Sequence, residues 1–203
     1  MRSVRFLSLA GFALAVTSCS RYNSVLEDVY DRDQAVRQWV LDISNLSADE
    51  VLACNAQMAA TDSVNQGTVS EILDREGWPS HLSEKANKAL WIVIDHADIE
   101  FQRKYLSMVQ AQAERGVVSA SDYAVLQDRV LMHEGKPQRY GTQIKMSTVF
   151  VGDTLETNAY ALWPVEDADK LDSLRNRVGL PPIDAFIEET EKTLGAKIDC
   201  SFH

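Results

Sequence analysis

The stretch Asp128-Arg-Val-Leu-Met-His-Glu-Gly-Lys-Pro-Gln-Arg-Tyr-Gly-Thr-Gln143 constrains the fold more than any other, because the chain changes its period there. Before it, apolar residues recur at helical spacing. After Pro137 the composition turns to Thr, Val, Tyr and Ile over Ile144 to Phe150 and Thr154 to Trp163, with Val151-Gly152-Asp153 between them. That pattern predicts a β-hairpin near residues 142–163, closed by Pro164, which cannot continue a paired strand. The expected fold is therefore mainly α: a single helical domain carrying one β-hairpin.

Glycines and capping residues place the helices. Gly67, Gly77, Gly116, Gly135, Gly179 and Gly195 stand where helices are expected to end. Ser24-x-x-Glu27, Ser47-x-x-Glu50 and Thr68-x-x-Glu71 read as capping boxes that start helices, and Ser119-x-x-Asp122 is a close relative. Together they predict helices at about 24–43, 48–66, 69–76, 83–115, 120–134, 167–178 and 183–194. The longest, 83–115, carries an apolar stripe of Leu90, Ile94, Ala97, Phe101 and Met108. Trp91-Ile92-Val93 lies off that stripe, so burial on more than one side is expected. Gly77-Trp78-Pro79 is expected to end a helix and lay its indole on the core.

The first residues are not read as fold. Arg2 and Arg5 precede an apolar run from Phe6 to Val16, too short for a permanent membrane span. It ends in Val16-Thr17-Ser18-Cys19, the pattern of a bacterial lipoprotein signal. Residues 1–18 are thus expected to be a signal peptide, Cys19 to be the acylated (palmitate-bearing) first residue, 19–23 a short lipidated tether, and 24–203 the globular domain. An ordinary secretory signal or an uncleaved anchor is the alternative. Ser20 to Asn23, fully extended, reach at most about 14 Å, which keeps the domain against the membrane. The expected location is the cell envelope, lipid-anchored, and the outer membrane facing the periplasm in a Gram-negative source, since Ser rather than Asp follows the cysteine.

Cys54 and Cys200 remain. In an oxidising envelope they could pair, or serve as two separate thiols. No C-x-x-C occurs, and neither a metal site nor a cofactor is expected. Without residues 1–18 the chain keeps 18 basic and 30 acidic residues, a net charge of −12, which argues against nucleic acid as a partner. Residues 129–145 run the other way: Arg129, Lys136, Arg139 and Lys145 against Glu134 alone, a local +3. A small anionic ligand fits that segment.

Three places carry candidate chemistry. His96, in Asp95-His-Ala-Asp98, shares a helical face with Glu100 and Arg103 at the expected spacing, and Asp98 falls one turn from Gln102. A carboxylate-held His is a general base, or else a histidine bonded for structure. Asp128-Arg129 offers an ion pair or cap, with His133 one turn on. Gln138-Arg-Tyr-Gly-Thr-Gln143 sets amides, a phenol (Tyr140) and Arg139 around Gly141, which permits a positive φ. Those groups either meet a ligand or satisfy backbone where the chain turns. No phosphate loop, nucleophile elbow or catalytic triad is present.

The motifs as a set resemble an uncharacterised bacterial family of unknown function marked by a Gln-x-Tyr-Gly-Thr-Gln signature. They are Asp62-x-x-Asn65, Gly77-Trp78-Pro79, His96-Ala97-Asp98, Phe101-Gln102, Asp128-Arg129, Gln138-x-Tyr140-Gly141-Thr142-Gln143, Pro164-x-Glu166-Asp167 and Asp172-x-x-Arg175-x-x-Val178-Gly179-Leu180, running from about 60 to 185. The resemblance implies no activity. It implies that His96, Gln102, Asp128, Arg129, Gln138, Tyr140, Gln143, Glu166 and Arg175 meet across separate segments. This chain departs from the pattern with Asp95 where a glutamine is expected and Leu174 where a second arginine is common.

The functional expectation is an envelope lipoprotein whose globular domain binds a small ligand or a protein partner. The alternative is a hydrolase-type enzyme with His96 as base and Arg129 or Arg139 holding an anionic substrate. A purely structural lipoprotein would instead show a large exposed apolar patch.

Overall fold

A computed structural model describes residues 10–40, 46–151 and 154–200, with side chains over 22–40, 46–147 and 159–200. The basic start of the expected signal peptide, the Cys19 side chain and the expected Gly152-Asp153 turn lie outside the described residues. The chain is mainly α: seven α-helices and three short strands among the described residues. Packing divides it into two compact units, residues 1–97 and 98–203.

The first unit holds α1 (Ala10–Ala35), α2 (Ala48–Glu76) and α3 (Glu84–His96). α1 buries Tyr22, Leu26, Val29 and Asp33, a period of three and four that defines one face. Against it lie Val69, Ile72 and Leu73 of α2 and Ala86, Ala89, Leu90, Val93 and Ile94 of α3. Trp91 and Ile92 are buried as well, so α3 is enclosed on more than one side, as its sequence predicts.

Three features of this unit correct the sequence reading. Ser24 is interior to α1 rather than a cap, and the helix runs back through residues 19–23, expected as an extended tether. Glu27 accepts instead from the Ser83 hydroxyl that caps α3. Residues 48–76 form one helix, not two. Gly67 sits inside it without a positive φ, and Thr68 donates its hydroxyl to the Val64 carbonyl at 3.1 Å. A glycine and a Thr-x-x-Glu imitate a helix boundary, but Asn65, Val69, Ile72 and Leu73 bury one continuous face across it, and that packing overrides local propensity. The Ser47 capping box is present: Ser47 Oγ accepts from Glu50 N at 3.3 Å, and Ser47 N donates to Glu50 Oε2 at 2.8 Å. Gly77, at φ 70°, ends the helix, and the Trp78 indole donates to Asn87 Oδ1 at 2.8 Å.

The second unit opens with α4 (Ile99–Glu114) and α5 (Ala120–His133), packed together. The predicted helix 83–115 is therefore two helices. Ala97 and Asp98 are extended, with ψ of 174° and 168°, and Asp98 accepts from Phe101 N at 2.9 Å as the cap of α4. The break resets the phase. α4 buries Gln102, Tyr105, Val109 and Gln112, whereas Phe101 and Met108 of the predicted stripe are only half-buried. Ser119 caps α5 by accepting from Asp122 N at 2.9 Å.

β1 (Ile144–Val151) and β2 (Thr154–Leu162) form the antiparallel hairpin, Ile144 opposite Leu162 and Val151 opposite Thr154, with an irregularity at Ser147/Thr148. A two-residue β3 (Ile198–Asp199) adds parallel to β2. Two residues are too few to show a period, which is why the sequence did not reveal it. A short 3-10 turn (Ala168–Lys170) leads into α6 (Leu171–Arg177), and α7 (Ile183–Leu194) ends at Gly195 with φ 65°.

Candidate functional site

The turn from α5 into the hairpin is built around one buried carboxylate. Asp128, on the last two turns of α5, is fully buried. Its Oδ1 accepts from Arg139 N at 2.8 Å and Tyr140 N at 3.1 Å. Its Oδ2 accepts from Tyr140 N at 3.0 Å, Thr142 N at 3.1 Å and the Thr142 hydroxyl at 3.0 Å. Burial pushes the Asp128 carboxyl above its ordinary range, and these donors oppose that without overcoming it.

Two glutamines close the same turn. Gln138 Oε1 accepts from Gln143 N at 2.8 Å while its Nε2 donates to Gln143 O at 3.1 Å and Trp163 O at 2.7 Å. A side-chain amide thus stands in for a peptide unit: it satisfies the Gln143 N–H and shares the Gln143 carbonyl with Trp163 N, which donates to it at 3.0 Å. Gln143 Nε2 in turn donates to Val125 O at 3.3 Å and to the Thr142 hydroxyl at 3.1 Å. From the far side Arg175 of α6, 1% exposed, donates Nη1 to Tyr140 O at 2.6 Å and Gly141 O at 3.1 Å, and Nε to Pro181 O at 2.6 Å. Burial lowers the Arg175 pKa, opposed by the attraction of Asp172 and Asp128. Gly141 is needed at φ 65°, and a Cβ there would lie 3.1 Å from Ile183 Cδ1.

Asp128, Gln138, Tyr140, Gln143 and Arg175 are thus brought together as the resemblance implies, but largely by bonds to one another's backbone. The polar groups of the motif shape the turn. What faces outward is Arg139, exposed, with its guanidinium 5.8 Å from the Tyr140 ring centroid. Glu166 joins through its backbone, N to Gln138 O at 2.8 Å. Gln102 is buried in α4, and Arg129 is half-buried and already engaged.

His96 belongs to the first unit, and its partner is not Glu100. His96 Nδ1 lies 3.1 Å from Asp33 Oδ1 on α1, while Glu100 pairs with Arg103, which also reaches Glu134 at 2.9 Å. Asp33 is 1% exposed and further accepts from Arg37 Nη1 and Gln34 Nε2, each at 2.9 Å. Burial alone would raise the Asp33 pKa; the His96, Gln34 and Arg37 contacts outweigh it and hold the carboxyl below its ordinary range. Arg37 Nη2 forks onto Asp62 at 2.7 and 2.9 Å, and one turn along α2 Asn65 Oδ1 accepts from Arg32 Nε at 3.3 Å and Nη2 at 3.2 Å. Two motifs of the resemblance, Asp62-x-x-Asn65 and His96, therefore converge on α1. Sequence reasoning missed Arg32, Asp33 and Arg37. Their spacing at the end of α1 and in the turn after it, two charges and then a base four residues on, was the available signal, but it looks like any solvated helix face.

Cys54 and Cys200 are both free, and Cys200 Sγ donates to Ile198 O at 3.6 Å, so of the two alternatives the structure has separate thiols. Burial pushes the Cys200 thiol up, helped by Glu191, Asp199 and Asp184, which makes it a poor nucleophile. Among the described residues no group of three or more His, Cys, Asp or Glu is arranged to hold a metal ion, and no helix is long and apolar enough to cross a membrane.

The first half of α2 is little covered by the described residues. None of residues 48–64 is buried, whereas Asn65, Val69, Ile72 and Leu73 beyond them are. Leu52 is 69% and Val64 61% exposed.

The model of the DUF6624 family, a family of unknown function, matches residues 22–199, and the chain belongs to that family. No curated protein and no solved structure matches it.

Proposed function

We propose that this DUF6624 member is a membrane-tethered envelope protein that binds a protein partner through the first half of α2. One observation carries the reading: a helical run of 17 residues, about 25 Å at ~1.5 Å per residue, displays Leu52, Val64 and several alanines to solvent, and none of its residues is buried by the described part of the chain. Large apolar side chains left in solvent on an otherwise uncovered helix are what an interaction site offers. The run carries no base; Asp62 is already paired with Arg37, and Asp49 and Glu50 stand at its start, so a partner helix with an apolar stripe and a basic flank complements it.

The position of this run favours a protein over the lipid surface. α1 and α2 are antiparallel, because the Tyr22 hydroxyl meets Glu76 and Arg37 meets Asp62. The bare half of α2 therefore extends past the C-terminal end of α1, away from Cys19. From residue 19 to 35 α1 climbs about 24 Å at ~1.5 Å per residue, so acylation at Cys19 leaves the bare run pointing away from the membrane.

Two experiments test the two halves of this proposal. Palmitate labelling of the full-length protein is expected to disappear in Cys19→Ser, with the protein leaving the membrane fraction. Labelling that persists in that variant counts against the anchor. For the partner, a photocrosslinker at position 56, exposed one turn beyond Leu52, is expected to capture a protein carrying a basic amphipathic helix. The Leu52→Glu/Val64→Glu double variant should lose the adduct with no fall in melting temperature. Crosslinks to lipid alone, or none, would defeat the binding surface.

A further inference from the structure

We infer that His96 and Asp33 form an acid–base centre that activates water against small neutral carboxylic esters. The geometry is that of a positioned base. Asp33 is 1% exposed and fixed by Arg37 and Gln34, so it cannot swing away from the imidazole. A carboxylate only accepts, so the 3.1 Å contact places the His96 proton on Nδ1 and leaves the Nε2 lone pair free. Among the described residues Nε2 has no hydrogen-bond partner, and the His96 side chain keeps 26% of its surface exposed. A buried orienting carboxylate, a fixed tautomer and an open nitrogen are the requirements of a general base.

The reaction follows from that nitrogen. Water gives a proton to His96 Nε2 as its oxygen bonds to the acyl carbon. The tetrahedral adduct then breaks its C–O bond to the alcohol, and the imidazolium returns the proton to the leaving oxygen. Ester and water become acid and alcohol, with the protein unchanged. Asp33 is a positioning residue: it holds the ring and its tautomer and touches no substrate. Arg37 is spent on Asp33 and Asp62, and Arg32 is turned to Asn65. With His96 neutral, the charges of Arg32, Asp33, Arg37 and Asp62 cancel. Neutral esters are therefore favoured over anionic ones.

The test uses the detergent-solubilised full-length protein with 4-nitrophenyl acetate and its anionic counterpart, mono-4-nitrophenyl succinate. His96→Gln is expected to lower turnover of the neutral ester at least ~100-fold, the usual range for losing a positioned base. His81→Gln and His133→Gln should leave it unchanged, and the succinate should be the slower substrate. A rate untouched by His96→Gln, or equally reduced by the other two histidine variants, overturns the inference. Because an Asp33 variant also weakens the fold, its role is read separately. Nitrogen-15 imidazole spectra at pH 8 should show His96 protonated on Nδ1 in the wild type and a mixed tautomer in Asp33→Asn. A wild-type His96 protonated on Nε2 would rule out the base.

Discussion

Asp33 and Asp128 are both buried aspartates, yet their carboxyls are shifted in opposite directions. Asp33 faces His96 and Arg37, and its pKa falls below 3.8; Asp128 faces uncharged donors, and burial raises it above 3.8. The signs of their pH effects differ accordingly. A depressed folded pKa gives stability that is present above the unfolded value and is lost as the pH falls through the folded one. Asp33 should thus contribute a fall in stability below about pH 4, and urea midpoints measured from pH 5 to 2 should show a shallower acid limb in Asp33→Asn. An unchanged acid limb would mean that the His96 and Arg37 contacts do not hold in solution. A raised folded pKa works oppositely: the contribution of Asp128 is present below 3.8 and is lost as the pH rises through its folded value. Neutralising Asp128 does not relieve the turn, however, because Asn puts an amide N–H against backbone donors that now meet oxygen. Asp128→Asn is expected to cost about 2–4 kcal/mol in urea unfolding, the scale of unsatisfied buried donors. At this scale the sequence showed that Asp128, Gln138, Gln143 and Arg175 mattered, but not what for. The same amides and carboxylate serve a ligand or a turn equally well, and only their partners decide.

At the scale of elements, caps and glycines carried most of the fold, and they misled where a local signal met a longer helical context. Ser47, Ser119 and Gly77 mark real ends, whereas Thr68 and Gly67 lie inside α2. The apolar stripe of 83–115 failed for the opposite reason: a helical period continues across Asp98 although the backbone does not. A test of the α2 assignment follows from Gly67, which has helical φ and open space where a Cβ would go. Gly67→Ala should stabilise the chain by roughly 0.5–1 kcal/mol through helix propensity. Thermal unfolding that shows a loss instead would restore the helix end predicted from sequence. Asp98→Ala should cost about 0.5–2 kcal/mol, since it removes the acceptor for Phe101 N that starts α4.

Across the whole molecule, the placement of polar networks was the least legible feature, because it depends on which helices lie side by side. The sequence set His96 beside the 138–143 loop in one expected site. The structure gives each its own closed set of partners: Asp33, Arg37 and Asp62 tie α1, α2 and α3 within residues 1–97, and Asp128, Gln138 and Arg175 tie the hairpin turn within 98–203. Networks that share no partner act on stability independently, whereas members of one network couple by 0.5 kcal/mol or more. A double-mutant cycle on Asp33→Asn and Asp128→Asn should therefore be additive to within about 0.5 kcal/mol. The cycle of Asp128→Asn with Arg175→Met should not be, because both substitutions loosen the same 139–142 backbone. Strong coupling between Asp33 and Asp128 would show that the two networks communicate.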